Sequence, residues 1–230
     1  MNPNQFEDFV LKQKDLNLLI NEHKFGVLSA IKHTDEMTPA FIDWISPKYY
    51  EAFIKIYKTH YKEKRGVIFS LFHTSFLANK ATCEKISEIL LPHIELIAEQ
   101  TNKFHELISI NVKNCYNGAA SLFLPYERLS AAILNTFETQ TLAPKRAEYI
   151  STLIDIAQLL IKASPRKSDT EFIIFRQVIS ELSKFNLTDE QAHKVEQLDL
   201  KVKGKAVWIY VSLIIIFISI FSTCKSQIFG

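Results

Sequence analysis

The residues best suited to chemistry are few and scattered. Glu190-Gln-Ala-His193 is an ExxH spacing, which on a helix puts a carboxylate and an imidazole on one face, as helical di-iron sites use. Such a site needs a second ExxH and carboxylates from other helices, and the chain holds one ExxH only. Glu190 also falls in the first turn of its helix, where a carboxylate favours the helix dipole, so capping is its expected role. Glu148 and Asp155, seven apart, share a helical face and form a candidate carboxylate pair; with no His or Arg at matching spacing, a solvated face is the expectation. His60, His73, His93 and His105 lie on long helical stretches. His73 and His93 fall toward apolar faces, where a hydrogen-bonded core role is expected.

Cys83, Cys115 and Cys224 are odd in number and far apart, so neither a disulfide framework nor a CxxC metal site is indicated, in keeping with a reducing cytoplasm. The chain carries no HExxH, Gly-rich phosphate loop, GxSxG or zinc-spaced Cys/His cluster. No enzyme activity, cofactor or metal is expected.

The elements that carry these residues read as helices. With 5 Gly and 7 Pro in 230 residues, turn-rich all-β folds are disfavoured, and no useful strand alternation occurs. Apolar residues at 47% and charged ones at 23% suit a folding chain. Near-balance of 27 Lys+Arg against 25 Asp+Glu argues against a nucleic-acid binder.

Residues 4–22 have loose helical spacing, and His23–Glu36 reads as a linker. Thr38-Pro39 starts a short helix through Trp44, and Ser46-Pro47 opens a long one to about Asn79. Thr82 starts a helix that Asn117-Gly118 stops. Pro125 and Pro144 mark helices ending near Phe137 and Ala163, with ETQTLA between them a candidate subdomain division. Capping boxes at Ser168–Glu171 and Thr188–Gln191 open helices to about Phe185 and Leu198. The expected fold is all-α: about seven cytoplasmic helices over residues 1–200, then a C-terminal membrane helix.

Two helices are striped with charge. Glu84, Glu88, Glu95, Glu99 and Glu106 fall within roughly 60° of one another, opposite Ile86, Leu90, Ile97 and Phe104. Pro92 lies off the apolar face, so that helix can continue through it. Lys48, Lys55, Lys58, Lys62 and Arg65 cover one flank of the preceding helix. A solvated outer face is the ordinary reading; contact with an anionic surface, lipid or acidic protein, is the functional one.

The strongest pattern is Ala206–Cys224, AVWIYVSLIIIFISIFSTC, 19 residues without a charge. At 1.5 Å per residue it spans about 28 Å, the thickness of a hydrocarbon core. Trp208 and Tyr210 stand at one interface, and Lys201, Lys203 and Lys205 form a basic linker before it, which keeps the N-terminal part cytoplasmic. KSQIFG follows, so the segment reads as a tail anchor. The N-terminus lacks the basic and apolar regions of a signal peptide. Gly66–Ala78, 13 apolar-rich residues, is too short to span and reads as a buried helix. A tail anchor suits a bacterial inner membrane or a eukaryotic organelle membrane, and the Lys-, Ile- and Asn-rich composition leans slightly toward the bacterial one.

Residues 150–198 (STLIDIAQLLIKAS, the turn PRKSDTE, then FIIFRQVISELSKFNLTDEQAHKVEQL) resemble a TerB-like helical module of the tellurite-resistance type. Ala163, Ser168, Glu171, Leu187, Thr188 and Glu190 stand at that pattern's positions; Ser164-Pro165 replaces its Asp-Gly turn, so the resemblance does not carry a metal-binding role over to that turn. The resemblance implies an interaction module in bacterial stress or defence.

Together these features predict a tail-anchored adaptor, with the lipid bilayer and a protein as partners. The alternative is a membrane-perturbing or pore-forming effector that homo-oligomerises through Ser212, Ser219 and Thr223, which lie within roughly 40° on the membrane helix.

Overall fold

Apolar residues repeating every three or four positions, with Pro and hydroxyl or amide caps at the starts, fold the chain as helices. A computed structural model of the chain describes residues 3–60, 65–117, 127–163 and 170–200. The helices are α1 (Pro3–Lys12), α2 (Lys14–Ile20), α3 (Pro39–His60), α4 (Arg65–Phe72), α5 (Lys80–Ile110), α6 (Glu127–Thr136), α7 (Ala143–Ala163), α8 (Thr170–Leu182) and α9 (residues 189–200). Short 3-10 turns occupy Leu28–Ala30, Ser75–Leu77 and Val112–Asn117. Among the described residues there is no strand, so the fold is all-α.

Several boundaries differ from the sequence reading. Residues 4–22 form two helices, because Gln13 turns extended between them. Ser46-Pro47 starts no helix: α3 runs through Pro47, which lies on the exposed side, where the carbonyl it leaves unpaired can meet water. Pro92 sits inside α5 in the same way. The stretch expected to be helical as far as Asn79 is α3 up to His60 and α4 up to Phe72, with residues 61–64 outside the described residues and the Ser75–Leu77 turn after α4. Thr38 caps α3, its hydroxyl accepting the Phe41 N–H at 3.3 Å. Asn79, three residues before the start expected at Thr82, caps α5 by accepting the Thr82 N–H at 3.0 Å. At Thr188 the capping box forms as expected: the Thr188 N–H donates to Gln191 Oε1 (3.1 Å) and the Gln191 N–H to Thr188 Oγ1 (3.3 Å).

The described residues divide into two compact units, one from 3–104 and 127–152, the other from 105–117 and 153–200. In the first, α1, α2, α3 and α4 pack in succession and α6 packs on α4. Its core centres on Phe41, Ile45, Tyr49, Phe53, Phe104 and Phe137, all essentially inaccessible. Phe53 and Phe72 meet Phe137 edge-on, with ring centroids 6.0 and 5.8 Å away. The second unit buries Ile108, Leu153, Leu160, Phe175, Val178 and Leu182, and the Val112–Asn117 turn packs on α8.

Candidate functional site

The basic flank is partly committed to packing. Lys48 reaches Glu7 at 3.6 Å and lies 4.2 Å from the centroid of the Trp44 ring, tying α1 to α3. Lys55 and Lys58 are exposed, with Lys55 Nζ 3.5 Å from His23 Nδ1. Lys62 lies outside the described residues, and Arg65 begins α4, with its side chain likewise outside them. Of the expected basic flank, Lys48, Lys55 and Lys58 stand on α3.

The acidic stripe is divided in purpose too. Glu88, Glu95 and Glu99 are exposed, and Glu99 pairs with Lys103 one turn on, at 2.6 Å. Glu84 instead grips the turn before α7: Oε1 accepts the Gln140 N–H at 2.8 Å, and Oε2 accepts the Thr141 hydroxyl at 3.0 Å. The Gln140 N–H, with help from Thr141 and Lys80, holds this carboxyl below the usual glutamate range. Beside it the Thr139 hydroxyl donates to Ser87 Oγ at 2.8 Å and accepts the Leu142 N–H at 3.3 Å. The ETQTLA stretch is thus a capping turn fixed by α5; the division between units falls later, at residues 152–153 inside α7.

A second network, buried at Ser46, joins α3 to the start of α5. Ser46 Oγ donates to the Leu77 carbonyl (3.1 Å) and accepts the Asn79 N–H (2.7 Å), while Asn79 Nδ2 donates to Asp43 (2.9 Å). The Tyr49 hydroxyl donates to the Leu71 carbonyl at 3.3 Å and sits 3.2 Å from the Thr74 hydroxyl. Burial pushes the Tyr49 phenol well above its ordinary range, so it stays neutral. These contacts set corners and leave no group poised for reaction.

In the second unit, the Tyr116 hydroxyl donates to the buried Glu171 at 3.1 Å, and Cys115 lies buried beside it. The bond to Glu171 raises the Tyr116 phenol. Burial, and then the Glu171 charge, push the Cys115 thiol up to about 11. A thiol so raised is protonated at neutral pH, the opposite of a reactive cysteine. Burial also raises the Cys83 thiol.

The ExxH is no ligand pair: Glu190 bonds Lys194 at 2.6 Å, and His193 is exposed. Glu148 is taken by Lys145 at 3.1 Å and Asn102 at 3.2 Å instead of pairing with Asp155. His93 is buried as expected, but His73 is exposed, because α4 ends one residue before it. Among the described residues no group of three His, Cys, Asp or Glu side chains is placed to hold a metal ion.

Glu181 escaped the sequence reading. It occupies the last turn of α8 with its side chain fully enclosed; Oε2 bonds Lys184, and Oε1 has no hydrogen-bond partner. Burial, opposed by Lys184, leaves its carboxyl above the usual glutamate range. The Glu181/Lys184 spacing was the available signal, but an exposed helical ion pair has the same spacing.

Lys201, Lys203, Lys205, Trp208, Tyr210, Ser212, Ser219 and Thr223 lie outside the described residues. No helix among the described residues is long and apolar enough to cross a membrane. The fold and its surfaces define a class, an all-α protein whose exposed helices carry charge. Comparison with protein-family models, curated proteins and solved structures finds no match to this chain.

Proposed function

We propose that the chain is a membrane-anchored adaptor: residues 206–224 hold it in the bilayer, and its helical part presents charged surfaces to a protein partner on the cytoplasmic side. The observation that carries this reading is the uncharged stretch Ala206–Cys224 directly after Lys201, Lys203 and Lys205. Each basic residue at an anionic leaflet contributes about 1 kcal/mol, so the linker adds to the hold of the apolar helix. An adaptor role is favoured by the described surfaces of α3 and α5, where Lys55, Lys58, Glu88 and Glu95 are exposed. The TerB-like resemblance of residues 150–198 supports the same reading and suggests bacterial stress or defence as its setting.

A second reading rests on the hydroxyls Ser212, Ser219 and Thr223, whose spacing puts them on one face of a helix. On it the segment would be an oligomerising, membrane-perturbing element. The mass of the full chain in mild detergent, beside that of the 1–205 chain, separates the two. The adaptor reading expects both to be monomeric. A discrete oligomer formed only by the full chain, lost with membrane leakage when Ser212, Ser219 and Thr223 all become Leu, would replace it with the second.

A further inference from the structure

Ile110, the last residue of α5, is 85% exposed, the most open large apolar side chain among the described residues. Leu107, three residues earlier and about 60° round the helix, is exposed too, as is Tyr116 in the turn that follows. No carboxylate occurs between Leu107 and Tyr116, so the acidic stripe of α5 stops at Glu106. The one charge in that stretch is Lys113, also exposed.

This apolar end is held in place by its own polar contacts. The Lys113 N–H donates to Asn111 Oδ1 at 3.0 Å, and Asn114 Nδ2 donates to the Leu107 carbonyl at 3.2 Å. The Tyr116 hydroxyl ties the turn to Glu171 on α8, leaving much of its ring in the open. Two aliphatic side chains with a tyrosine and a lysine beside them have the makeup of a contact at a membrane interface.

The course of the chain says what lies close enough to cover them. These residues belong to the second unit, whose last described helix, α9, ends at Leu200. Only residues 201–205 separate Leu200 from the uncharged stretch that begins at Ala206. Five residues span at most about 17 Å, and a compact unit of this size has a radius of gyration of about 10 Å. So short a tether leaves the end of α5 within reach of the headgroups. It also raises the local concentration of lipid, so a contact too weak to hold the chain by itself still forms.

We propose that the end of α5 and its turn are a second membrane contact. Leu107 and Ile110 enter the boundary between headgroups and acyl chains, Tyr116 lies at its edge, and Lys113 reaches anionic headgroups. This contact rests on residues 206–224 being the anchor. With it, the second unit is held at two points and keeps one orientation toward the bilayer.

The test places the full chain in liposomes of phosphatidylcholine and phosphatidylglycerol, part of the lipid carrying a diazirine high on its acyl chain. After illumination, mass spectrometry locates lipid adducts on tryptic peptides. Adducts are expected within residues 206–224 and within Phe104–Lys113, and not within Phe25–Lys32, where Val27 is exposed without being part of the contact. Adducts within 206–224 alone overturn the second contact and leave the anchor standing, with the end of α5 free for a protein partner. Adducts missing from 206–224 overturn the anchor and this contact with it. An equal yield on Phe25–Lys32 means contact without selection and also overturns the proposal. Ile110→Asp, a change at an open site, should lower the Phe104–Lys113 yield relative to 206–224 about tenfold, the worth of one apolar side chain withdrawn from water. An unchanged ratio overturns the proposal.

Discussion

The two units enclose different kinds of polar group. Among the described residues, the first buries hydroxyls (Ser46, Thr74, Ser87 and Thr139 among them) and the imidazole of His93, whereas the second buries the carboxylates of Glu171 and Glu181. A buried hydroxyl is uncharged, donates once, accepts readily, and is satisfied by a nearby carbonyl or N–H. Ser46 and Thr139 do this at helix corners, so the first unit gains fixed geometry at little electrostatic cost. A buried carboxylate must be matched by donors or take up a proton. Glu171 has the Tyr116 hydroxyl; Glu181 has Lys184 on one side and nothing on the other. The first unit therefore encloses mainly uncharged hydroxyls, and the second encloses two carboxyl groups.

The largest test of that difference is in the aromatic core of the first unit. Phe53→Ala should cost about 3–5 kcal/mol, since the ring is fully buried between Phe72 and Phe137. Urea unfolding of the variant at pH 5 and pH 8 should give the same loss; a loss that changes with pH would blur the distinction between the units. Ser46→Ala should cost about 1–3 kcal/mol, because the Asn79 N–H and the Leu77 carbonyl lose their buried partner. This loss too should be flat between those pH values in the same assay.

Gly26→Ala should have a smaller effect, about 0.5–1.5 kcal/mol. A Cβ there would lie 2.3 Å from Asp15 Oδ1, the atom that accepts the Val27 N–H at 2.9 Å, so the carboxylate must move and the bond is lost. Thermal melting of the variant beside Asp15→Ala should show no further loss when the two are combined. Glu84 marks where the first unit does become sensitive to acid. Its carboxyl is held below the usual range, so its contribution is present at neutral pH and is lost as pH falls through that lowered value. Glu84→Ala should accordingly flatten the acid limb of the stability curve below about pH 4.5 and leave the pH 6–8 region unchanged in slope.

Helix type and most helix starts were legible in the sequence, because a 3.6-residue apolar period and local caps such as Thr38 and the Thr188–Gln191 box act within a few residues. Pro47 misled because a proline signal is ambiguous: on an exposed face its missing bond is tolerated. What could not be read were contacts across long separations. Glu84 looked like one more member of a solvated stripe, and only its meeting with Gln140 and Thr141, more than fifty residues on, makes it a cap. Glu181 carries the same local pattern as any exposed i,i+3 pair. Its burial depends on how α8 packs within its unit, which spacing alone does not specify. Lys48 likewise looked free until Glu7 and Trp44 were placed beside it.

The most direct measurement is flotation of the full chain and of the 1–205 chain with anionic liposomes after an alkaline wash, with circular dichroism of the shorter chain alongside. The anchored-adaptor reading predicts that the full chain stays with lipid, while the 1–205 chain remains in the aqueous fraction with its helical signal intact. Retention of both chains, or release of both, would contradict the assignment of residues 206–224 as the anchor.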